Sequence, residues 1–356
     1  MSTKVSFAQP APGFSAALRK SVQDYFAKNG IKSTGNFKLF SKTIILISIL
    51  IATYTSLLFI DMPGWVSVLL CIILGLDVAA IGFNVMHDGA HGSYSSKKWV
   101  NDIMGMSLNI IGGNEYLWKQ KHNQNHHTYT NVEGLDDDID IQPWIRTNKN
   151  QKKYWFHKYQ HIYWVALYGL TYLLWVYVKD FTKYFTGKIG DTDMKKMSVK
   201  DHVIFWFSKA VYFFIFLALP IMMVGAWKTL IGYLIFSFTT GFVIAIVFQM
   251  AHIVEATTFP MPEEGTNKIN EEWMVHQLAT TANFSTRSKI ISWFAGGLNF
   301  QVEHHLFPKI SHIHYPEISK IVKDVCRKFN VQYNEYPNLL SVLKSHVMYL
   351  KTAGNV

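Results

Sequence analysis

The sequence is poor in cysteine, with only Cys71 and Cys326 among 356 residues. Two cysteines cannot build the disulfide framework of a small secreted domain, so both are expected to be free thiols in a reducing compartment. Charged residues are also scarce, at 16% of the chain against about 25% in typical soluble proteins. These two deficits exclude a disulfide-stapled fold and favour a membrane domain.

Acidic residues are the minority charge, with 24 Asp and Glu against 34 Lys and Arg and a formal net charge of +10. A basic balance suits either nucleic acid or the cytoplasmic face of a membrane, which attracts Lys and Arg. Because hydrophobic residues make up 49% of the chain and gather in long runs, the membrane interpretation is favoured and no nucleic-acid partner is expected.

Four apolar runs are long enough to cross the hydrocarbon layer as helices, which takes ~20 residues. The links within each pair of runs are short, which predicts two antiparallel hairpins. Lys and Arg collect before the first run and are nearly absent from both links, so both termini and the long middle segment are predicted to be cytoplasmic. The predicted spans are about 40–60, 65–86, 203–224 and 230–251.

A fifth apolar stretch, residues 161–178, is almost long enough to cross. Hydropathy alone leaves crossing and interfacial placement equally favoured. Its Trp and Tyr content and its charged flanks suit a helix that lies at the interface. An additional crossing would also put the histidine groups described next on opposite sides of the membrane, so an interfacial helix is predicted.

Histidines gather close to the ends of the predicted spans. His87 and His91 are four residues apart in MHDGAH, and His122 and His126 have the same spacing in HNQNHH. Residues four apart share a helix face and can aim at one point, whereas an adjacent histidine points about 100° further round. The other candidate ligands are His127, His252 at the end of the fourth run, and Gln301, His304 and His305 in NFQVEHH.

Nine candidate ligands in one layer are too many for a single metal ion, since a structural zinc site takes four. The sequence therefore predicts two metals, and imidazole ligands alone suit zinc, copper, iron or nickel. Nearby carboxylates could bind a metal or orient the imidazoles by hydrogen bonding, although a solvated acidic loop explains the aspartate run equally well. These carboxylates are Asp88, Glu303, and Asp136, Asp137, Asp138 and Asp140 in GLDDDID.

The order HDGAH, HNQNHH and QVEHH resembles the three histidine boxes of the membrane fatty acid desaturases. The Gln that opens the third box resembles the front-end branch, the delta-5/delta-6 or linoleoyl-CoA type. The resemblance covers about residues 40–316. It implies an all-α integral membrane fold, with four transmembrane helices in two hairpins, a cytoplasmic histidine-rich di-metal cap and interfacial helices. The implied segments are a cytoplasmic N-terminal segment at 1–39, the desaturase domain at 40–316 and a cytoplasmic helical segment at 317–356.

The resemblance also implies the identity of the metals and their ligands. Two non-haem irons would be held by histidines of the three boxes, with Gln301 where many relatives have a histidine. His276, in WMVHQLATTANF, competes with His252 for the isolated ligand position or hydrogen-bonds to a ligand. The implied ligands are His87, His91, His122, His126, His127, His252, Gln301, His304 and His305.

The chemistry implied by the resemblance is O2-dependent insertion of a cis double bond into a fatty acyl chain, carried on CoA or on a lipid. Hydroxylation of an alkyl chain, a lipid or a carotenoid on the same scaffold is the first alternative. A metal-binding transporter is the second, but transport needs ligands near the bilayer midplane, and these histidines lie at the span ends. Candidate tunnel residues are Phe83, Phe242 and Phe248, for each of which ordinary helix packing is the alternative.

Many eukaryotic front-end desaturases carry a fused cytochrome b5 domain. Residues 1–39 contain no histidine and are too few for such a domain, so the electrons are expected to come from an external donor. Ferredoxin, or cytochrome b5 with its reductase, are the expected donors.

Overall fold

The computed structural model describes residues 5–9, 13–263 and 265–356. The described chain is mostly helical, and it divides into two compact units, each of which is described by itself. The first unit consists of Met1–Thr34, Lys121–Ile162 and Val247–Val356, and the second of Gly35–Gln120 and Tyr163–Ile246. The boundaries expected near residues 39 and 316 stay a prediction.

Five described helices are long and apolar enough to cross a membrane, by length and composition. Four of them contain the four predicted spans to within a few residues at each end. The fifth contains the 161–178 stretch that the sequence predicts to be interfacial, and it begins in the first unit and ends in the second. The five helices are Phe37–Phe59, Gly64–His91, Trp155–Thr186, Val199–Val224 and Ala226–His252.

The ends of these helices follow from local sequence. Asn36 accepts a hydrogen bond from the Lys38 amide at 2.9 Å and so caps the first long helix. Ser198 and Asp201 form a reciprocal capping box at the start of Val199–Phe213. Gly225, at a φ of 89°, makes the turn between the last two long helices, a conformation that favours glycine.

Several helices contain a π-helical turn, a feature often found at functional sites. In the second unit, Gly82–Met86 separates Gly64–Ile81 from the short helix His87–His91. The turn Gln120–His126 carries the second histidine group. Two further π turns interrupt long helices, at Trp175–Lys179 and Phe214–Ala218. The second histidine group thus lies on a π turn and the first directly follows one, a departure from regular α-helical phase that a period of 3.6 residues does not predict.

Within the second unit, a buried ion pair joins two of the long helices. The Lys209 Nζ atom lies 2.8 Å from Asp180 Oδ2 and 2.6 Å from the Gly112 carbonyl oxygen. Trp175 donates a hydrogen bond to the other oxygen of the same carboxylate at 3.0 Å. These extra hydrogen bonds matter because a buried pair is tolerated only when its remaining polar atoms are satisfied. The unit also contains Lys98–Gly105, Ser107–Ile110, Glu115–Lys119 and an antiparallel pair of strands, Lys188–Ile189 and Thr192–Asp193.

The first unit has its own apolar core, in which Leu18 and Val22 of helix Phe14–Asn29 cluster with Ile318 and Val322 of helix Tyr315–Phe329. Apolar residues at helical spacing in the second of these helices predict such an inward face. Two parallel strand pairs bring distant segments together, Ser6–Phe7 with Lys268–Ile269 and Asn283–Phe284 with Glu335–Tyr336. The remaining helices are Trp273–Thr280, Lys289–Phe294, Gln301–Leu306 and Leu339–Asn355, with 3₁₀ turns at Trp155–Tyr159 and His312–His314.

Candidate metal centre

Three histidines from distant parts of the sequence meet inside the first unit. His126 ends the π turn Gln120–His126, His252 is the last residue of helix Ala226–His252, and His305 lies on the short helix Gln301–Leu306. Their ring centroids are 4.7 Å, 4.8 Å and 4.9 Å apart. The three ligand nitrogens lie within 4.8 Å of one another, close enough for one metal ion to bind all three.

A second group of histidines shares His305. His127, His304 and His305 also place their ligand nitrogens within 4.8 Å of one another, and the His127 ring lies 4.5 Å and 4.4 Å from the other two rings. His122 joins this group, since its Nε2 atom is 3.2 Å from that of His127. Two adjacent groups of buried imidazoles within one unit fit two metal ions better than one.

The Nδ1 atoms of three of these histidines have hydrogen-bond partners. His252 donates to the Thr280 carbonyl oxygen at 3.2 Å, and His305 donates to Gln277 Oε1 at 2.8 Å. His304 lies 3.1 Å from the Tyr315 hydroxyl. A hydrogen bond at Nδ1 fixes the tautomer and leaves the Nε2 lone pair for a metal. Consistent with this, the buried Nε2 atom of His126 has no hydrogen-bond partner within the described residues.

Two aspartates orient the imidazoles of His122 and His126. Asp138 Oδ2 accepts a hydrogen bond from His122 Nδ1 at 2.7 Å, and both oxygens of Asp136 lie 2.9 Å from His126 Nδ1. Both carboxylates belong to the acidic run singled out in the sequence, and Asp137 lies between them in the chain. A carboxylate on the far side of a ligand imidazole increases its basicity and holds its ring in place.

Burial and the two aspartates have opposite effects on the pKa values of these histidines: burial lowers them and the carboxylates raise them. Burial lowers the pKa of His122 well below its usual value, and burial together with neighbouring histidines does the same to the pKa of His305. At His126, burial is outweighed by Asp136, so the pKa is raised. Burial alone would raise the pKa of Asp138, but Lys121 and His122 bring it well below its usual range. Burial thus favours the neutral imidazole at His122 and His305, the state in which histidine binds a metal, whereas Asp136 favours the protonated form of His126.

Gln301 completes the ring of polar groups around His252. Its Nε2 atom is 3.0 Å from His252 Nε2 and 3.4 Å from His305 Nε2. Its buried Oε1 atom has no hydrogen-bond partner within the described residues. Because a half-turn of the amide exchanges its oxygen and nitrogen, Gln301 can present an oxygen ligand to a metal at the same point.

Three residues that the sequence did not single out support the histidines. Gln277 accepts from His305 and donates to the His127 carbonyl oxygen at 3.1 Å, and Thr130 donates to Gln277 Oε1 at 2.9 Å. Asn283 accepts from the Val302 amide at 2.8 Å and so holds the start of the helix that carries His304 and His305. Gln277 and Asn283 both lie within the WMVHQLATTANF segment, Gln277 on helix Trp273–Thr280 and Asn283 after it. The concentration of polar residues in this segment is the sequence feature that marks them.

The acidic residue inside the third box has a different role from the histidines beside it. Glu303 accepts hydrogen bonds from Asn283 Nδ2 and from the Tyr333 hydroxyl, both at 2.7 Å. Burial raises the pKa of Glu303 to about 7, against the opposing effect of these hydrogen bonds. Glu303 therefore anchors helix Gln301–Leu306 to neighbouring segments of the first unit.

His276 lies outside both groups. Its ring meets Phe7 edge-on at a centroid distance of 5.0 Å, and no set of three potential ligands found among the described residues includes it. The structure thus places His252, and not His276, beside His126 and His305.

The first histidine box lies in the second unit. The rings of His87 and His91 are 4.6 Å apart, both residues are buried, and Trp118 packs edge-on against each ring. The carbonyl oxygen of Asp88 accepts hydrogen bonds from the amides of Ser93 and Tyr94. The spacing of four therefore does place both imidazoles side by side, as the sequence predicts.

The three candidate tunnel residues have different surroundings. Phe83 is buried in the second unit. Phe242 stacks on Trp164 at a centroid distance of 6.0 Å, an ordinary helix-packing contact. Phe248, in the first unit, meets the His122 ring edge-on at 5.9 Å. Of the three, Phe248 is the one whose described contact is with a histidine of the group.

Comparison with known proteins gives a consistent assignment. The family described as fatty acid desaturase matches residues 63–337. The chain is 36% identical over 345 residues to an acyl-lipid (8-3)-desaturase of Physcomitrium patens, covering 96% of this chain and 72% of that protein. It is 35% identical over 350 residues to an sn-1 linoleoyl-lipid 6-desaturase of Arthrospira platensis, covering 98% and 94%. A Synechocystis protein with that same description is 33% identical over 99% of this chain and 98% of its own length.

The family match covers most of the chain, and both 6-desaturase relatives align over nearly their whole length. The matched region contains the three histidine boxes and the supporting residues Gln277 and Asn283. It also contains three of the four helices that correspond to the predicted spans, all but Phe37–Phe59. The chain belongs to the fatty acid desaturase family, and it is an oxidoreductase.

Proposed function

We propose that this protein is a di-iron, O2-dependent acyl-lipid desaturase that inserts a cis double bond by front-end chemistry. The observation that carries the proposal is the buried cluster in which His122, His126, His252, His304 and His305 each have a polar partner at Nδ1. Two relatives, a linoleoyl-lipid 6-desaturase and an acyl-lipid (8-3)-desaturase, support a lipid-linked acyl chain as the substrate.

The proposed ligands are the nine residues that the family resemblance implies, with His252 and not His276 as the isolated histidine. The donor set of imidazoles and one amide oxygen suits iron but does not by itself exclude zinc. When bound, the two irons would supply the activation of O2, with two electrons, and the removal of hydrogen from neighbouring methylenes. The ligands in the proposal are His87, His91, His122, His126, His127, His252, Gln301, His304 and His305.

The contribution of the protein is position and exclusion of water. Asp136, Asp138, Gln277 and the Thr280 carbonyl hold the imidazoles in one tautomer, so the Nε2 atoms need no rearrangement when metal binds. Burial of these side chains keeps bulk water away from the reacting atoms.

An acyl chain has no polar handle near its middle, so we propose that an apolar tunnel selects the carbon pair. One methylene in an apolar pocket is worth only about 1–3 kcal/mol. The double-bond position, delta-5-like or delta-6-like, would therefore depend on tunnel length and on how the lipid head group is held. Phe248, whose ring meets His122, is the proposed wall residue nearest the metals.

We propose that four of the five apolar helices cross the bilayer and that Trp155–Thr186 lies at its interface. The asymmetric distribution of Lys and Arg supports cytoplasmic termini and a cytoplasmic active site. An even number of crossings returns both termini to that side. The electrons would come from an external donor, ferredoxin or cytochrome b5 with its reductase, and the cationic balance of the chain favours an acidic carrier.

The test is a fatty acid methyl ester profile, by gas chromatography and mass spectrometry, of host cells that express the protein and receive oleate or linoleate. The account predicts a new unsaturated product that disappears in His126→Ala and persists in His202→Ala, a control at an exposed histidine that contacts Tyr184. A hydroxylated product would show that the protein is a hydroxylase on the same scaffold and not a desaturase. No new product from iron-loaded protein with a working electron donor would contradict the proposed function.

A further inference from the structure

The aspartates behind His122 and His126 are not equivalent, although the two histidines are one helical turn apart. Asp136 accepts hydrogen bonds from the backbone amides of Asn131 and Asp138, at 2.9 Å and 3.0 Å. Asp138 instead forms an ion pair with the side chain of Lys121, which contacts the Oδ1 atom while His122 contacts Oδ2. Lys121, Asp138 and His122 therefore form a continuous chain from a cation to a candidate metal ligand.

This chain lies mostly out of water. The side chains of Lys121, Asp138 and His122 are 15%, 8% and 1% exposed. Charges in such a place are screened much less than those at the surface, and their interaction energy rises as the effective dielectric constant falls. The cation of Lys121 can therefore change the charge that Asp138 presents to the imidazole.

We infer that Lys121 is a positioning residue that weakens electron donation by His122 and thereby raises the reduction potential of the iron bound through it. A carboxylate behind a ligand imidazole increases the basicity of that ligand, which stabilises the ferric over the ferrous state. A cation on the other carboxylate oxygen withdraws part of that charge. His126, whose aspartate accepts backbone amides, is the stronger donor of the two, so the two metal-binding positions differ in potential.

The inference rests on the metal centre of the proposed function but not on its substrate. The readout is the midpoint potential of the ferric/ferrous couple, measured by redox titration of purified iron-loaded protein with mediators and followed by Mössbauer spectroscopy. A protein that bound iron but converted no acyl chain would still give this measurement, so failure of the proposed substrate and failure of the inference are distinguishable.

Five proteins are compared: wild type, Lys121→Gln, Lys121→Arg, Asp138→Asn and Lys119→Met. Lys121→Gln keeps a hydrogen-bond donor and loses the charge, so its midpoint should move to more negative values. Lys121→Arg should restore the wild-type value. Asp138→Asn should move the midpoint the other way, because it removes the carboxylate itself. Lys119→Met is the matched control, since Lys119 pairs with Glu115 at 2.6 Å and its midpoint should not change.

Iron content is measured on every variant before titration. An unchanged midpoint in Lys121→Gln at wild-type iron content would overturn the inference. Equal shifts in Lys121→Gln and Lys121→Arg would overturn it as well, because the fit of the lysine and not its charge would then be responsible. Loss of iron from Lys121→Gln would likewise overturn it, since Lys121 would then assemble the site and not tune it.

Discussion

The Nδ1 atom of His305 lies 2.8 Å from the Oε1 atom of Gln277, a residue 28 positions earlier in the chain. The same glutamine side chain donates to the His127 carbonyl oxygen, so one buried amide orients one histidine of the second box and one of the third. Gln277 immediately follows His276, the residue that the sequence offered as an alternative ligand. The neighbouring amide, and not that imidazole, contacts the cluster.

Removing the Gln277 amide should loosen the metal site. We expect Gln277→Leu to lower metal affinity about 10–100-fold, the usual cost of losing a hydrogen-bond partner of a ligand imidazole. Gln277→Glu, which keeps an acceptor for His305 Nδ1, should retain most of the affinity. Chelator competition on the purified proteins measures both. Equal affinities for Gln277→Leu and the wild type would show that this hydrogen bond does not orient a ligand.

Removing the Tyr333 hydroxyl should lower the stability of the fold more than it lowers activity. Tyr333 donates to Glu303 Oε1 at 2.7 Å, and leaving a buried carboxyl oxygen without its donor costs about 1–3 kcal/mol. Tyr333→Phe should therefore lower the thermal midpoint in detergent. Tyr159→Phe, at an exposed tyrosine, is the control and should leave the midpoint unchanged. No difference between the two variants would contradict a structural role for the Glu303 network.

The buried imidazole of His346 should make stability depend on pH. Burial lowers the pKa of His346 to about 4, against the opposing effect of the Ile253 carbonyl oxygen, to which Nδ1 donates at 2.7 Å. The unfolded chain, with a pKa near 6.5, binds the proton first. Stability attributable to His346 is therefore complete above about pH 6.5 and is lost as the pH falls toward 4, by roughly 3 kcal/mol.

The His346→Asn variant isolates this effect, because its amide can still donate to a carbonyl but does not titrate. Thermal midpoints of both proteins are compared from pH 7.5 to pH 4.5. As the pH falls, the thermal midpoint of the wild type should decrease more than that of His346→Asn. Glu303, with its raised pKa, titrates in both proteins and cancels in the comparison. Parallel curves would show that His346 protonates normally in the folded state.

Shortening Phe248 should change the product and not only the rate. If its ring forms part of the tunnel wall beside His122, Phe248→Ala should alter the ratio of products from acyl chains of different length about 10–200-fold, the range for one methylene in an apolar pocket. Phe242→Ala, which removes a ring stacked on Trp164, is the matched control and should leave the ratio unchanged. Gas chromatography of the esters measures the ratio, and equal changes in both variants would contradict the tunnel assignment.

The sequence predicts the features that depend on the length of an apolar run or on helical spacing. Four apolar runs predict four of the long helices, and a spacing of four predicts that His87 and His91 lie side by side, as they do. The roles of Gln277, Asn283 and Tyr333 could not be predicted, because each acts across 20 or more residues on a partner that only the folded first unit brings close. The π turns at Gly82–Met86 and Gln120–His126 could not be predicted either, because the first lies in a largely apolar run and the second in a uniformly polar one, and neither shows the phase shift that an extra residue makes.

Iron stoichiometry tests the central claim most directly, namely that the anchored histidines form a two-iron site. The protein would be purified in detergent, depleted of metal and loaded anaerobically with ferrous iron, because zinc outcompetes ferrous iron at most nitrogen and oxygen sites. The account predicts two irons per chain in the wild type and fewer in His252→Ala, with His276→Asn still holding two. One iron or none in folded wild-type protein, or full iron content in His252→Ala, would contradict it.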